Sequence, residues 1–213
     1  MPALDTMLAV ALAGLALSVT PGPSMLYVLS RSVGQSRAAG LASALGLGLG
    51  GTVLAVATAM GLAAVFAAFK WMIPTLRIAG SAYLVWLGIS MIRDARAAAR
   101  VKLVASDVRQ RSFFEIVRQG ILVEVLNPKT VLFFALFLPP FVDDALDADV
   151  STQLLVLGVL VPLTAIPSDL VVAWLGGTLS EAVNSHQTVR EGLAWLGGLT
   201  LIAIAANIHL GVI

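Results

Sequence analysis

The sequence Leu126-Asn127-Pro128-Lys129-Thr130 places a proline inside a long apolar stretch, and Thr20-Pro21-Gly22-Pro23 does the same near the start of the chain. Proline lacks a backbone N–H and clashes with the carbonyl four residues earlier, so a continuous helix is not expected at either point. Thr20 and Asn127 are residue types that cap helix N-termini, and each precedes a proline suited to the first helical position. The sequence therefore predicts two helices that begin inside apolar segments.

The composition is typical of a membrane protein. Of the 213 residues, 59% are hydrophobic and 12% are charged, and the mean hydropathy is +0.96. Soluble domains carry about 25% charged residues, so this chain has too little polar surface to cover itself in water. It contains no cysteine, which excludes disulfides and cysteine-ligated metals. We predict an all-α membrane protein with the lipid bilayer as its surroundings.

Six transmembrane helices are predicted, because a membrane helix needs about 20 mostly apolar residues and the chain offers six such runs. The first lies between Asp5 and Arg31 and the second between Arg37 and Lys70, and neither run contains a charged residue. The other four cover about residues 72–92, 119–138, 152–175 and 193–210. The whole chain, 1–213, is predicted to form a single transmembrane transporter domain.

Charge is distributed unevenly between the predicted loops. The central loop, about 94–118, is rich in arginine, whereas the loop after the fourth span contains four aspartates and no lysine or arginine. Cytoplasmic loops of membrane proteins carry an excess of lysine and arginine. We expect the basic central loop to be cytoplasmic and both termini to face outward. This rule accounts for the positive charge of the loop, so no nucleic-acid partner is predicted.

The two proline motifs also suggest an internal repeat. Placing Thr20-Pro21 over Asn127-Pro128 aligns the first three spans with the last three, which gives repeat one at about 1–93 and repeat two at about 119–213. Because three is an odd number, the repeats enter the membrane in opposite directions. Inverted repeats with discontinuous helices place a transporter's substrate site near the bilayer midplane. Helices 1 and 4 are thus predicted to be broken at these motifs, beside a shared polar cavity.

Two acidic residues lie at the predicted membrane depth. Asp169 follows Pro167 in the fifth span, and Glu124 lies just before the second break. A carboxylate in a bilayer is costly, so it is expected to be protonated, paired or facing water. Asp169 is the candidate for proton or cation coupling, and Glu124 is a rival proton carrier. The alternative is that Asp169 is a structural partner of Lys129 or a polar contact within the bundle.

Lys129 occupies the second position of the helix that follows Asn127, where a cation opposes the helix dipole. Together with the exposed N–H groups of that helix start, its ammonium could bind an anion such as a substrate carboxylate. An ion pair with Glu124 or Asp169, or a lysine that extends to the membrane interface, explains the residue equally well.

The remaining motifs do not indicate an enzyme. The glycines of Gly46-Leu47-Gly48-Leu49-Gly50-Gly51 fit the pattern GxGxxG, but no strand precedes them and no acidic residue follows at the required distance. We predict that they serve close helix packing. The hydrolase and zinc motifs GxSxG and HExxH are absent, and His186 and His209 are too few for a histidine-ligated metal centre. No catalytic residue, cofactor or metal site is predicted.

Several motifs occur in the order and spacing of one known family. They are Thr20-Pro21-Gly22-Pro23, the glycine-rich second span, the segment 80–88, and the segment from Asn127-Pro128-Lys129 to Phe137-Leu138-Pro139. Together, over about residues 4–174, they resemble the lysine exporter (LysE/RhtB) family of bacterial amino-acid efflux proteins. Glu124 departs from the family pattern, which usually has a neutral polar residue before Asn-Pro-Lys.

The resemblance implies a multi-pass exporter of amino acids or close derivatives in the bacterial inner membrane, driven by the proton gradient. Its substrate and coupling positions correspond to eight residues of this chain: Thr20, Pro21, Gly22, Pro23, Asn127, Pro128, Lys129 and Asp169. It does not indicate which amino acid is transported, and it leaves open whether the protein forms a homo-oligomer.

The mechanism expected from these residues is proton antiport by alternating access of the two repeats. The half-helix starts and Lys129 would hold the substrate carboxylate. Asp169, with Glu124 in reserve, would exchange a proton or meet the substrate amine. Two alternatives remain: a cation efflux protein that uses Asp169, Glu124 and backbone carbonyls as oxygen ligands, and a membrane subunit that transports nothing.

Overall fold

The computed structural model describes residues 2–19, 22–69, 71–100, 110–143, 149–185 and 187–210. Thr20 and Pro21, two of the predicted site residues, and His186 lie outside the described residues, and so does the side chain of His209. The described segments form helices and no strand, which confirms the all-α prediction. In chain order the α-helices are α1 Leu4–Val19, α2 Pro23–Gly34, α3 Arg37–Ala68, α4 Met72–Arg100, α5 Phe113–Val125, α6 Pro128–Leu132, α7 Val150–Ser185 and α8 Gln187–Leu210.

Both predicted breaks separate helices of different direction. The axes of α1 and α2 differ by 54°, and the axis of α5 differs by 49° from that of the segment Pro128–Phe141. This segment continues α6 through a π-helical turn, Phe133–Phe137, and a short 3₁₀ turn, Pro139–Phe141. Two helical segments thus begin within stretches that are apolar on both sides.

The second break has the predicted cap. Asn127 adopts an extended conformation, its side-chain oxygen accepts a hydrogen bond from the Lys129 backbone N–H at 3.1 Å, and Pro128 is the first helical residue. Asparagine is a favoured N-cap, and proline at the first position loses no helical hydrogen bond.

At the first break, the predicted cap Thr20 and the predicted first helical residue Pro21 lie outside the described residues, and the described helix α2 begins at Pro23. The N-cap is Gly22, in extended conformation and without a side-chain cap, and Pro23 is the first helical residue. The reason lies in the second proline, because a residue that precedes proline is disfavoured in the helical region. Gly22 is therefore disfavoured in a helical conformation, and α2 starts at Pro23.

Length and composition support between two and four membrane spans. Among the described residues, Arg37–Gly61 in α3 and Val150–Gly176 in α7 are each long and apolar enough to cross a bilayer. Each of the two bent pairs also passes the same criterion when its members are taken together. The helices α4 and α8 lie where the third and sixth spans are predicted, so the count of six stays a prediction.

The connection predicted at 94–118 is helical at both ends. Helix α4 continues through Arg100, and α5 begins at Phe113. The start of α5 is fixed by a capping box, in which the Ser112 hydroxyl accepts from the Glu115 N–H and the Glu115 carboxylate accepts from the Ser112 N–H. Residues 101–109 lie outside the described part of the chain.

Helices α3 and α7 pack against each other and organise the rest of the bundle. Helix α5 packs on α3, α1 packs on α7, and α4 pairs with α8. The glycines of α3 permit these contacts: a Cβ at Gly46 would lie 2.9 Å from the Gly120 Cα, and one at Gly50 would lie 2.9 Å from the Ile121 carbonyl oxygen. The predicted packing role is thus confirmed for Gly46, Gly50 and Gly51, whereas a Cβ at Gly48 would meet open space.

The outer surface and the core differ in the way expected of a bundle surrounded by lipid. Large apolar side chains such as Leu8, Leu12, Leu49 and Leu163 are exposed. The core is filled by the phenylalanines of the π-helical turn, where the rings of Phe133 and Phe137 stack 4.2 Å apart. An exposed apolar surface of this extent is stable in a bilayer and not in water.

Candidate functional site

A cavity with charged and polar side chains set in a largely apolar wall lies where the two helix breaks meet. Its walls come from the last turns of α1, the first turn of α2, the middle of α3, the second break with α6, and the middle of α7. Its volume is about 50 Å³, which is enough for about three water molecules. In this conformation, a bound amino acid would require the walls to move apart.

Most of the predicted site residues line this one cavity. Gly22, Glu124, Asn127, Lys129 and Asp169 all contribute to its wall, although they come from three separate parts of the sequence. The two prolines, Pro23 and Pro128, are exposed and do not contribute. Their effect is on the backbone, because each is the first residue of a helix that begins at the cavity.

Glu124 is the centre of a hydrogen-bond network that joins the two breaks. Its carboxylate accepts from the Ser24 hydroxyl at 2.5 Å and from the Thr130 hydroxyl at 2.9 Å. The Asn127 side-chain amide donates to the Ser24 oxygen at 2.9 Å. Ser24 belongs to the first turn of α2 and Thr130 to the first turn of α6, so one carboxylate connects both half-helix starts.

The Lys129 ammonium donates to the Leu17 carbonyl oxygen, in the last turn of α1, at 2.9 Å. The sequence explains why this carbonyl is available. In a continuous helix it would accept from the N–H of residue 21, but residue 21 is proline and has no N–H. A cation at a helix C-terminus is also favoured by the helix dipole. Lys129 thus links the second break to the first.

Asp169 is the second acidic residue in the wall of the cavity. Only 9% of its surface is exposed, and it lines the cavity from α7. Within the described residues, its carboxylate accepts no hydrogen bond, in contrast to that of Glu124. The neighbouring Ser168 hydroxyl lies 3.0 Å from the Ser18 hydroxyl and connects α7 to the end of α1. The Ser168 contact thus joins α7 to α1, next to the Asp169 side chain that lines the cavity.

The charges of the cavity influence one another. Lys129 lies close enough to Glu124 for the opposite charges to attract, and Glu124 lies close enough to Asp169 for like charges to repel. Coulomb interactions are stronger in a buried site than in water, because the effective dielectric constant is lower. The three side chains therefore form one electrostatic unit.

Sequence reasoning missed several residues of the site. Ser24, Thr130 and Ser18 line the cavity, and the Tyr83 hydroxyl lies 3.4 Å from the Lys129 carbonyl oxygen. Ser24 and Thr130 had a recognisable signal, since each is a small hydroxyl residue just after a proline that starts a helix. Nothing in the sequence indicated that Leu17 would supply a backbone acceptor.

These features define a class of protein: a helical membrane protein with discontinuous helices that meet at a small, charged, buried cavity. The family model described as "LysE type translocator" matches residues 15–211. Because that match covers most of the chain, the protein belongs to the LysE type translocator family. The resemblance to the LysE/RhtB family is confirmed.

Relatives include proteins named for efflux. The chain is 31% identical to a homoserine/homoserine lactone efflux protein of Salmonella typhimurium, over 78% of this chain and 76% of the relative. It is 28% identical to a threonine efflux protein of Escherichia coli, over 64% of this chain and 66% of the relative. An uncharacterized membrane protein of Pseudomonas aeruginosa is 36% identical over 58% of this chain, and the match spans 57% of that relative. No solved structure matches the chain.

Proposed function

We propose that this protein exports amino acids or close derivatives from the cytoplasm across the bacterial inner membrane, by proton antiport with alternating access. Its family and the efflux proteins among its relatives support export of a small amino-acid substrate. The observation that carries the proposal is the Asp169 carboxylate, which faces a buried cavity between two helix breaks and accepts no hydrogen bond from the described residues. Buried acids of this kind are typical of substrate and proton pathways.

In the proposed mechanism, Asp169 binds the substrate ammonium or exchanges it for a proton. The opposite end of the substrate faces Lys129 and the first turn of α2 at Gly22. Asn127, Pro128 and Pro23 act through the backbone, because they fix where the two half-helices begin. Thr20 and Pro21 belong to the same motif, and Glu124 is the second candidate for proton coupling.

The proposed movement is a rearrangement of two inverted repeats. An offset of 107 residues places Thr20-Pro21 on Asn127-Pro128. With the same offset, residue 51 corresponds to residue 158 and residue 55 to residue 162. The contacts between α3 and α7 show the same correspondence, because Gly51 packs against Pro162 and Gly158 packs against Ala55. Adding 107 to residue 51 and subtracting 107 from residue 162 turns the first contact into the second. A two-fold relation between the repeats produces pairs of contacts related in this way. This correspondence supports six spans arranged as two inverted halves.

The orientation that fits this mechanism has the basic connection around 94–118 in the cytoplasm. The excess of arginine in that segment, set against the aspartates that follow the 3₁₀ turn, supports this orientation. Substrate would then enter the cavity from the side of the basic connection and leave on the side of the acidic loop, while a proton moves in the opposite direction.

The test is transport of radiolabelled L-threonine by purified protein in proteoliposomes, for wild type, Asp169→Asn and Lys129→Ala. We expect each variant to lower the rate of counterflow at least about tenfold, which corresponds to about 1.4 kcal/mol. Asp5→Asn, the same chemical change at an exposed position on α1, is the matched control and should transport at the wild-type rate. Wild-type counterflow in both cavity variants would exclude both residues from substrate binding.

A second measurement separates substrate binding from proton coupling. Counterflow exchanges substrate for substrate and needs no net proton movement, whereas accumulation driven by a pH gradient does. If Asp169→Asn keeps counterflow and loses gradient-driven transport, Asp169 couples the proton. Loss of both activities assigns the residue to substrate binding.

A further inference from the structure

The two acidic residues of the cavity are held in different ways. Glu124 accepts hydrogen bonds at both carboxylate oxygens, from Ser24 and from Thr130. Asp169, which lines the same cavity and is nine-tenths buried, accepts none from the described residues. If Glu124 and Asp169 were interchangeable proton carriers, this difference in hydrogen bonding would have no explanation.

The geometry around Glu124 suits an ionised carboxylate, because a hydroxyl lies within hydrogen-bond distance of each of its two oxygens. The Ser24 oxygen accepts a hydrogen bond from the Asn127 side-chain amide, and the Ser24 hydroxyl donates its own hydrogen to Glu124. The oxygen–oxygen distance of 2.5 Å falls in the range of hydrogen bonds between a hydroxyl and a charged oxygen. Thr130 donates to the other carboxylate oxygen, so Glu124 acts as an acceptor on both sides.

The protein's own acceptors therefore occupy both hydroxyl donors and at least one ammonium N–H that would suit a substrate carboxylate. Two hydroxyls at the half-helix starts, those of Ser24 and Thr130, donate to Glu124. The Lys129 ammonium donates to Leu17. The group that faces the cavity without a described protein partner is an acceptor, the carboxylate of Asp169. A substrate is consequently recognised through its donor, the ammonium group.

We propose that Glu124 determines the substrate class of this exporter. Its carboxylate takes the place at Ser24 and Thr130 that a substrate carboxylate would otherwise take, and its fixed negative charge repels a second anion. The cavity then selects amino-acid derivatives that keep the ammonium but have a neutralised carboxyl group, such as amides and esters, over free amino acids. This inference rests on the proposed function and narrows it.

The test compares three compounds that differ in one charge each: L-threoninamide, L-threonine and N-acetyl-L-threonine. Binding to purified protein is measured as the rise in thermal unfolding temperature with compound concentration, because a ligand that binds the folded state stabilises it. For wild type, we expect threoninamide to bind at least about tenfold more tightly than threonine. N-acetyl-L-threonine, which has the carboxylate and lacks the ammonium, should not bind.

Two variants show whether the charge of Glu124 causes this preference. Glu124→Gln keeps the shape and removes the charge, so it should reduce the preference for threoninamide to about threefold or less. Asp5→Asn also removes one carboxylate charge, but at an exposed position on α1 away from the cavity, and should retain the wild-type preference. The ratio of affinities is the readout, since loss of stability alone would not change it.

The outcomes separate this inference from the proposed function. If wild type binds threonine as tightly as threoninamide, or if Glu124→Gln keeps the tenfold preference, Glu124 does not select the substrate and only this inference fails. If none of the three compounds stabilises the protein, the proposed function fails with it. Should Glu124→Gln not fold, the wild-type ratio between threoninamide and threonine still decides, because a ratio of one overturns the inference.

Discussion

The two helix breaks have similar sequences and different supports. In each, a proline leaves the carbonyl four residues earlier without its helical donor: Leu17 in the first break and Glu124 in the second. The second break satisfies its carbonyl locally, through the Asn127 N–H at 3.1 Å. The first break receives its donor from Lys129, in the other half of the chain.

The caps show the same contrast. Asn127 caps the helix that begins at Pro128, whereas Gly22 has no side chain with which to cap the helix that begins at Pro23. The first turn of the latter helix is instead attached to Glu124 through Ser24. The second break therefore has its own cap, and its residues Lys129 and Glu124 also supply the contacts of the first break. A rearrangement of the two halves would have to change the contacts of the first break.

The largest effect on stability is expected from Lys129→Met. The substitution keeps most of the volume but leaves the Leu17 carbonyl without its described side-chain donor and removes the cation near Glu124. An unsatisfied buried acceptor costs about 2 kcal/mol. Thermal unfolding in detergent measures the change, with Arg118→Met as the control because that charge is exposed on α5. Equal unfolding temperatures for the two variants would show that the first break does not depend on Lys129.

A smaller effect is expected from Asn127→Ala, which removes the cap of α6 and the hydrogen bond to Ser24. Loss of an N-cap costs about 1 kcal/mol. Asp149→Ala is the matched control, since Asp149 caps α7 on an exposed surface by accepting from the Ser151 N–H. Both variants should unfold at lower temperature, but only Asn127→Ala should slow threonine counterflow. Slow transport by both would indicate a general effect of lost stability.

The smallest effect is expected from Gly22→Ser, which gives the first break the side-chain cap that the second already has. The backbone of Gly22 is extended, with φ −167° and ψ −176°, and serine adopts this conformation without strain. Serine in place of glycine at an N-cap stabilises by about 0.3 kcal/mol. A small rise in unfolding temperature would confirm that the missing cap distinguishes the two breaks, and a fall would show that the cavity has no room for the hydroxyl.

The sequence was sufficient to predict the elements that depend on local chemistry. The cap at Asn127 and the helix start at Pro128 follow from neighbouring residues, as does the close packing of the glycines in α3. The start of α2 at Pro23 could have been predicted by the same reasoning, because the effect of Pro23 on Gly22 is local too.

The contacts of the site could not be predicted, because they join residues far apart in the chain. Glu124 and Ser24 are 100 residues apart, and Lys129 and Leu17 are 112 apart. Spacing within a helix gives no information on such pairs. The sequence therefore identified the charged residues of the cavity. It did not show that Glu124 accepts hydrogen bonds from the described residues while Asp169 accepts none from them.

The most direct test of the account is the chemical accessibility of Ser18→Cys, which is practical because the natural chain contains no cysteine. Ser18 lines the cavity, and Leu15→Cys is the control, since Leu15 is exposed on the apolar outer surface of the same helix. A charged, water-soluble thiol reagent should modify Ser18→Cys from either side of the membrane, more slowly with threoninamide present, and should not modify Leu15→Cys. If Ser18→Cys is as unreactive as Leu15→Cys from both sides, the two breaks do not enclose a polar transport pathway.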